Sequence, residues 1–342
     1  MKKIFLLLFL LCLSLLSAQM KEWQSVSCEF PSDIDWEEII WGMETGDSRY
    51  IFGFSCESQD RPLWQFEANG NNATCTKTDK DLSIYYPDDN LYLENDTTVY
   101  GQNNTSNDLK KFNFQNHNTT MYGGDALAIK SENCQFFLME SKHYCLHYDN
   151  KKLYRFTLND TKASMTYKEL PLDNAPINVY EYSANVVVLN NKCYYLSEAG
   201  FCEVTVSGDS TASKLILKID ADAIDNTIKN STLVTDKKNR VWIINDTNGV
   251  QEYNSKTGEI QQIAEAPQIE NRVDCHQVCF HLNDHLYYIK NGKALCLGVP
   301  SPDDPDDPTN PHDQSGHTCG LLGFEFFTVL LGISIIHIYR HK

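Results

Sequence analysis

Positive charge is scarce in this chain. Lys and Arg number 29 against 46 Asp and Glu, a formal net charge of -17 over 342 residues. Such a balance argues against nucleic acid or an anionic membrane surface as partner, since both call for a basic face. Arginine is the scarcer cation. Arg49, Arg61, Arg155, Arg240, Arg272 and Arg340 are the whole set, too few and too scattered to promise an anion-binding cluster. No G-x-S-x-G elbow and no phosphate-binding Gly-rich loop occurs, so the common signatures of nucleophilic hydrolysis and phosphoryl transfer are missing. No cofactor is expected.

The apolar runs that stand out lie at the two ends. MKKIFLLLFLLCLSLLSA, residues 1–18, has two lysines, an apolar core from Ile4 to Leu16 and a small-residue end, which predicts a secretory signal peptide. Residues 319–339 hold a second apolar stretch, and Gly320–Tyr339 supplies the roughly 20 residues a helix needs to cross a bilayer. Arg340, His341 and Lys342 follow as a short basic tail, as a cytoplasmic end requires. A removed lipid-anchor signal is the competing reading, because Ser315-Gly316 offers small residues ahead of the apolar tail. Residues 300–318 alternate Pro and Asp and read as an extended, self-repelling stalk.

The middle, residues 19–299, fits an extracellular or lumenal address. N-x-S/T sequons begin at Asn72, Asn95, Asn103, Asn104, Asn118, Asn159, Asn230 and Asn245. The chain has 12 cysteines, and those beyond Cys12 would meet an oxidising compartment. Spacing suggests pairs: Cys56 with Cys75, Cys134 with Cys145, Cys193 with Cys202, Cys275 with Cys279. Cys28 is expected beside Cys296, provided that the N-terminal strand joins the last sheet.

That condition comes from a repeat. Thr235 to Ile263 divides into four short β-rich runs separated by polar breaks, with Asn248-Gly249 at a tight turn. Similar meanders are read at 39–78, 82–114, 134–170 and 186–220, and a three-stranded one at 278–299. Aromatic residues assigned to their second strands, Tyr50, Tyr92, Tyr144, Tyr194, Trp242 and Tyr287, lie 42 to 52 residues apart. Four strands per unit at this period predict an all-β fold, a six-bladed β-propeller. Trp23 to Phe30 is the expected fourth strand of the last blade, because an open blade would leave a sheet edge free to pair with other chains.

Asp236, Asn239, Val241, Trp242, Ile243, Asn248, Gly249, Val250, Tyr253, Thr257, Gly258, Glu259 and Ile260 form one blade that resembles the sensor propeller repeats of two-component regulators. The resemblance implies a propeller and a recognition role, and it carries no catalytic residue. Cys275, His276, Cys279, His281 and His285 have zinc-ligand types, but outside the cell the cysteines would sooner pair, so no metal site is expected. Asp236 with Trp242 echoes a sialidase Asp-box at the wrong spacing. On the inner strands only Glu44, Glu140 and His281 stand near an axial channel. Sequence therefore predicts a membrane-anchored, single-pass propeller that binds a protein or glycan. An extracellular hydrolase of sialidase or lactonase type, or a structural coat protein, is the alternative.

Overall fold

The computed structural model describes residues 20–31, 39–45, 49–54, 62–81, 90–95, 97–102, 108–123, 134–147, 151–174, 176, 186–218, 231–245, 248–268, 277–290 and 292–299. Every regular element among them is a strand, and they form six four-stranded antiparallel sheets. The first sheet is β2 (Ile39–Thr45), β3 (Arg49–Phe54), β4 (Pro62–Asn69) and β5 (Asn72–Asp81). The second is β6 (Asn90–Asn95), β7 (Thr98–Gln102), β8 (Leu109–Asn113) and β9 (Asn118–Tyr122). The third is β10 (Cys134–Met139), β11 (Lys142–His147), β12 (Lys152–Asn159) and β13 (Ser164–Leu170). The fourth is β14 (Val186–Leu189), β15 (Lys192–Ser197), β16 (Gly200–Ser207) and β17 (Ser210–Lys218). The fifth is β18 (Ser231–Thr235), β19 (Arg240–Asn245), β20 (Gly249–Asn254) and β21 (Ile260–Ala264). The sixth takes β22 (Gln277–Leu282), β23 (His285–Lys290) and β24 (Lys293–Gly298), with β1 (Gln24–Ser25) as its fourth strand.

First strands of successive sheets adjoin in order, β2, β6, β10, β14, β18, β22, and β22 adjoins β2 again. The sheets thus stand around a common axis as a propeller. Burial follows from that placement. Second strands are sandwiched between neighbouring sheets, and β19 is buried at all six positions instead of alternating. Fourth strands form the rim, and β17 reads exposed or half-buried throughout. The core is accordingly divided into seams between sheets. Phe66, fully buried, meets Phe280 and Tyr287 of the sixth sheet edge-on, each at 5.5 Å. Tyr92, Tyr100, Phe136 and Phe156 fill the seam between the second and third sheets, and Leu189, Tyr194, Phe201, Leu233 and Tyr253 that between the fourth and fifth.

Sequence reading misplaced the second sheet by one strand. Residues 82–86 were expected to be its first strand; they lie outside the described residues, and β6 at Asn90 is the first strand, with Asn118–Tyr122 as the fourth. Tyr100, not Tyr92, therefore occupies the second-strand position. With that correction the aromatic marker recurs every 44 to 50 residues.

The expected clasp is present in the indicated place and reaches further than expected. Lys21 bridges Ala264 of β21, and its N–H donates to the Ile263 carbonyl at 2.7 Å. Gln24 and Ser25 then pair with Cys296 and Leu295 of β24. Ser27 bridges Asn72 of β5. Seven residues thus cross from the fifth sheet over the sixth to the first. No helix among the described residues is long and apolar enough to cross a membrane. The expected signal peptide (1–18), stalk (300–318), span (319–339) and tail (340–342) lie outside the described residues.

Candidate functional site

The two ends of the ring differ in their connections. At one end, first strands of the third, fourth and sixth sheets turn into second strands through pairs of positive-φ residues: Glu140-Ser141 (52°, 57°), Asn190-Asn191 (52°, 59°) and Asn283-Asp284 (48°, 57°). Two successive left-handed residues make the turn whose twist matches a hairpin, and Asn and Asp tolerate that conformation best. These turns also tie sheets together. Asn190 Nδ2 donates to the Lys238 carbonyl at 2.9 Å, Asn283 Nδ2 to the Ala68 carbonyl at 2.8 Å, and Tyr287 Oη to the Gly70 carbonyl at 2.9 Å. At the opposite end the strands are joined through short connections at 148–151, 198–199, 246–248 and 291–292 and through longer ones at 55–61, 82–89, 103–108, 123–133, 171–185, 219–230 and 265–276. These connections carry Tyr85, Tyr86, Tyr180 and Tyr182.

Near the tight-turn end two sheets share a buried device. In the fifth, Trp242 lies opposite Glu252; its indole Nε1 donates to Glu252 Oε2 at 2.9 Å, and Arg240 Nη1 lies 3.7 Å from the same oxygen. In the fourth, Tyr194 lies opposite Glu203; its hydroxyl donates to Glu203 Oε2 at 3.0 Å, and Lys192 Nζ to Oε1 at 2.9 Å. Both glutamates are 7% exposed. A buried carboxylate is tolerated only when cations and donors satisfy it, so these groups are read as framework, already committed to one another. His281 lies flat on Trp242, ring centroids 5.2 Å apart, and burial lowers it to about 4, against the pull of Asp236 and Asp284.

A more open cluster sits between the second and third sheets. Tyr92 Oη and His143 Nδ1 are 2.8 Å apart, and the His143 ring meets Tyr100 edge-on at 4.8 Å. Tyr100 donates to Glu94 Oε2 at 3.3 Å, and Lys111 Nζ lies 3.9 Å from that oxygen and 5.5 Å over the Tyr100 ring. Tyr122 donates to Asp160. Glu94 and Asp160 are exposed and His143 is half-buried. Burial holds His143 below its usual range and pushes Tyr100 and Tyr122 upward, so imidazole and phenols are neutral near pH 7. Among the described residues this is the constellation in which carboxylates, an imidazole and a cation approach one another within reach of solvent. Sequence reading missed Glu94 because it counted Asn90–Asn95 as a second strand; the period of the aromatic marker was the signal that would have found it.

The anticipated channel residues fare differently. Glu140 sits in a tight turn and pairs with Lys142 at 3.6 Å, His281 is stacked away, and the side chain of Glu44 lies outside the described ones. Among the described residues no group of three metal-ligating side chains comes together. Of the expected disulfide partners, Cys56 and Cys275 lie outside the described residues. Cys193 faces Val204 and Cys202 faces Tyr195, so the two are diagonal neighbours. Diagonal Cβ atoms lie about 7–8 Å apart, beyond the roughly 4 Å a disulfide spans. Both are buried thiols, and Cys202 Sγ contacts Ser197 Oγ at 3.2 Å. Cys134 and Cys145 are diagonal in the same way, opposite His147 and Phe136. Cys296 faces Gln24, whereas Cys28 lies beyond the bridge from Ser27 to Asn72; the expected Cys28–Cys296 pair is not brought together. Cys28 instead neighbours Cys75, whose thiol burial pushes up to about 12 with Cys28 as the second cause.

Sequon asparagines divide too. Asn72, Asn118 and Asn159 are exposed, and Asn95 is described in backbone only. Asn103, Asn104 and Asn230 lie outside the described residues. Asn245, in contrast, is 3% exposed, its Nδ2 donating to Ser231 Oγ at 3.0 Å. A glycan on that buried nitrogen has no room.

No protein-family model matches the sequence, and no curated protein matches it. Among solved structures the fold is similar to a streptogramin B lyase, with a TM-score of 0.50 at 10% identity, over 83% of this chain and 99% of that one. A gluconolactonase from Xanthomonas campestris is similar with a TM-score of 0.48 at 6% identity, over 81% and 98%. At such identities the first likeness speaks for the β-propeller fold alone; the second adds no argument.

Proposed function

We propose that the chain is a membrane-anchored β-propeller of the secretory pathway, with six blades, that binds a protein or glycan through the end of the ring bearing the long connections. The supporting observation is the asymmetry of the two ends. Connections at one end are two to five residues long, and Asn190 and Asn283 in two of them are committed to bonds between sheets, whereas the other end offers seven of six residues or more, and binding residues concentrate on loops held by a rigid scaffold. Tyr85, Tyr86, Tyr180 and Tyr182 in those connections suit an interface, where tyrosine is enriched. The signal peptide, stalk and C-terminal span expected from sequence supply the address and anchor. The single-blade likeness to sensor repeats agrees with recognition.

The test is capture of surface or lumenal partners, and a glycan array, with the 19–299 fragment. Replacing residues 171–185 and 219–230 with short Gly-Ser connections should abolish capture, while changes at Asn190-Asn191 should not. Capture unaffected by those replacements would sink the reading. Turnover of a lactone or glycoside lost on Glu94→Gln or His143→Gln would move the protein to the hydrolase class.

A further inference from the structure

Asn72, Asn118 and Asn159 border the same turn in three successive sheets. Each borders the turn from third to fourth strand: Asn72 opens β5 opposite Asn69, Asn118 opens β9 opposite Asn113, and Asn159 ends β12 opposite Ser164. All three are exposed, and each starts a sequon, completed by Thr74, Thr120 and Thr161. Asn159 uses Oδ1 to hold its turn, accepting from the Lys162 N–H at 3.1 Å, which commits no donor of its Nδ2, and Asn72 Nδ2 gives only one of its two N–H groups, to the neighbouring exposed Asn71 Oδ1 at 3.4 Å. The corresponding turns of the fourth and fifth sheets, Gly208-Asp209 and 255–259, carry no sequon. Asn245 stands at the other end of its sheet and is buried against the equally buried Ser231.

From this geometry we infer that Asn72, Asn118 and Asn159 carry N-linked glycans, which form an arc along the outer rim of the first three sheets at the tight-turn end, and that Asn245 carries none. The inference rests on the secretory address proposed above, not on ligand recognition. In the transfer, Nδ2 forms a bond to the anomeric carbon of an oligosaccharide and loses one proton to a base. The bond from that carbon to a lipid diphosphate breaks, and the diphosphate leaves with the electron pair. The donor is thus a lipid-linked oligosaccharide. The arc leaves the opposite end of the ring, with its long connections, unobstructed by these three glycans.

The full chain, expressed in a eukaryotic secretory host, is digested with peptide N-glycosidase in 18O water, which converts each occupied asparagine to labelled aspartate for mass spectrometry. Label is expected at Asn72, Asn118 and Asn159 and not at Asn245. Thr74→Ala, Thr120→Ala and Thr161→Ala should each remove one glycan step in gel mobility while keeping the asparagine in place, and Asn245→Gln should remove none. A chain that enters the pathway but lacks label at any of the three, or carries it at Asn245, overturns the inference and leaves the address standing. A chain that never enters the pathway overturns both.

Discussion

Glu252 and Glu203 show how one position in a repeat can be kept while its partners change. Each accepts from the aromatic residue facing it and is approached by the cation two residues before that aromatic, Arg240 in one sheet and Lys192 in the other. Removing the carboxylate leaves an indole N–H and a guanidinium in a space shaped for their partner. Glu252→Ala should therefore destabilise the fold by about 3 kcal/mol, with Glu252→Gln milder, as read by urea unfolding. His281 gives a pH signature. Its folded pKa is lowered from 6.5 to about 4, mainly by burial, so the unfolded chain binds the extra proton first. Its contribution is complete above pH 6.5 and is lost as pH falls from there to about 4, by roughly 3 kcal/mol in all. His281→Phe, which keeps a ring on Trp242, should flatten that part of the stability curve relative to the wild-type chain. An unchanged slope would show that His281 is not the titrating group.

Strands and turns were the most legible elements, because alternation breaks at Asn, Asp and Gly where the chain reverses. Five of the six meanders follow from that punctuation. The second did not, since residues 82–86 have the composition of a strand and the true fourth strand, Asn118–Tyr122, has the polar look of a turn. Rim strands are exposed, so their sequence need not be apolar. Cysteine pairing was illegible for a related reason: spacing fixes that two cysteines share a hairpin, but only register tells opposite from diagonal. Gly249 illustrates a turn whose residue type is dictated by space as well as angle. Its φ is +92°, and a Cβ there would sit 2.4 Å from the Ala264 carbonyl oxygen. Gly249→Ala should cost about 3 kcal/mol or more, measured by thermal unfolding. In the clasp, Val26 N–H donates to the Ala294 carbonyl at 2.9 Å. Val26→Pro removes that donor and should lower the melting temperature by several degrees, as a loss of about 1–2 kcal/mol would.

For the whole molecule, the seams between sheets matter more than any single sheet, since a four-stranded sheet with both faces apolar has no stable existence alone. Phe66→Ala, in the seam that joins the first sheet to the sixth, should cost about 3–5 kcal/mol. Deleting residues 20–31 would expose the edge of β24 along its length. The expected result is self-association, visible by light scattering, without loss of the other five sheets by circular dichroism. The candidate cluster at His143 could not be read from sequence, because its members come from both sides of a seam and no local spacing joins them. Closure by the N-terminus was legible, through a sixth meander one strand short. That closure has a consequence for synthesis. Residues 21–27 leave the ribosome before every other strand of the ring, yet their partner strand, 293–298, is made after all of them. Five sheets can assemble while the chain grows, but the early segment must stay uncommitted until translation has passed residue 298, so a pause shortly before that point would hold an open ring with two unpaired edges.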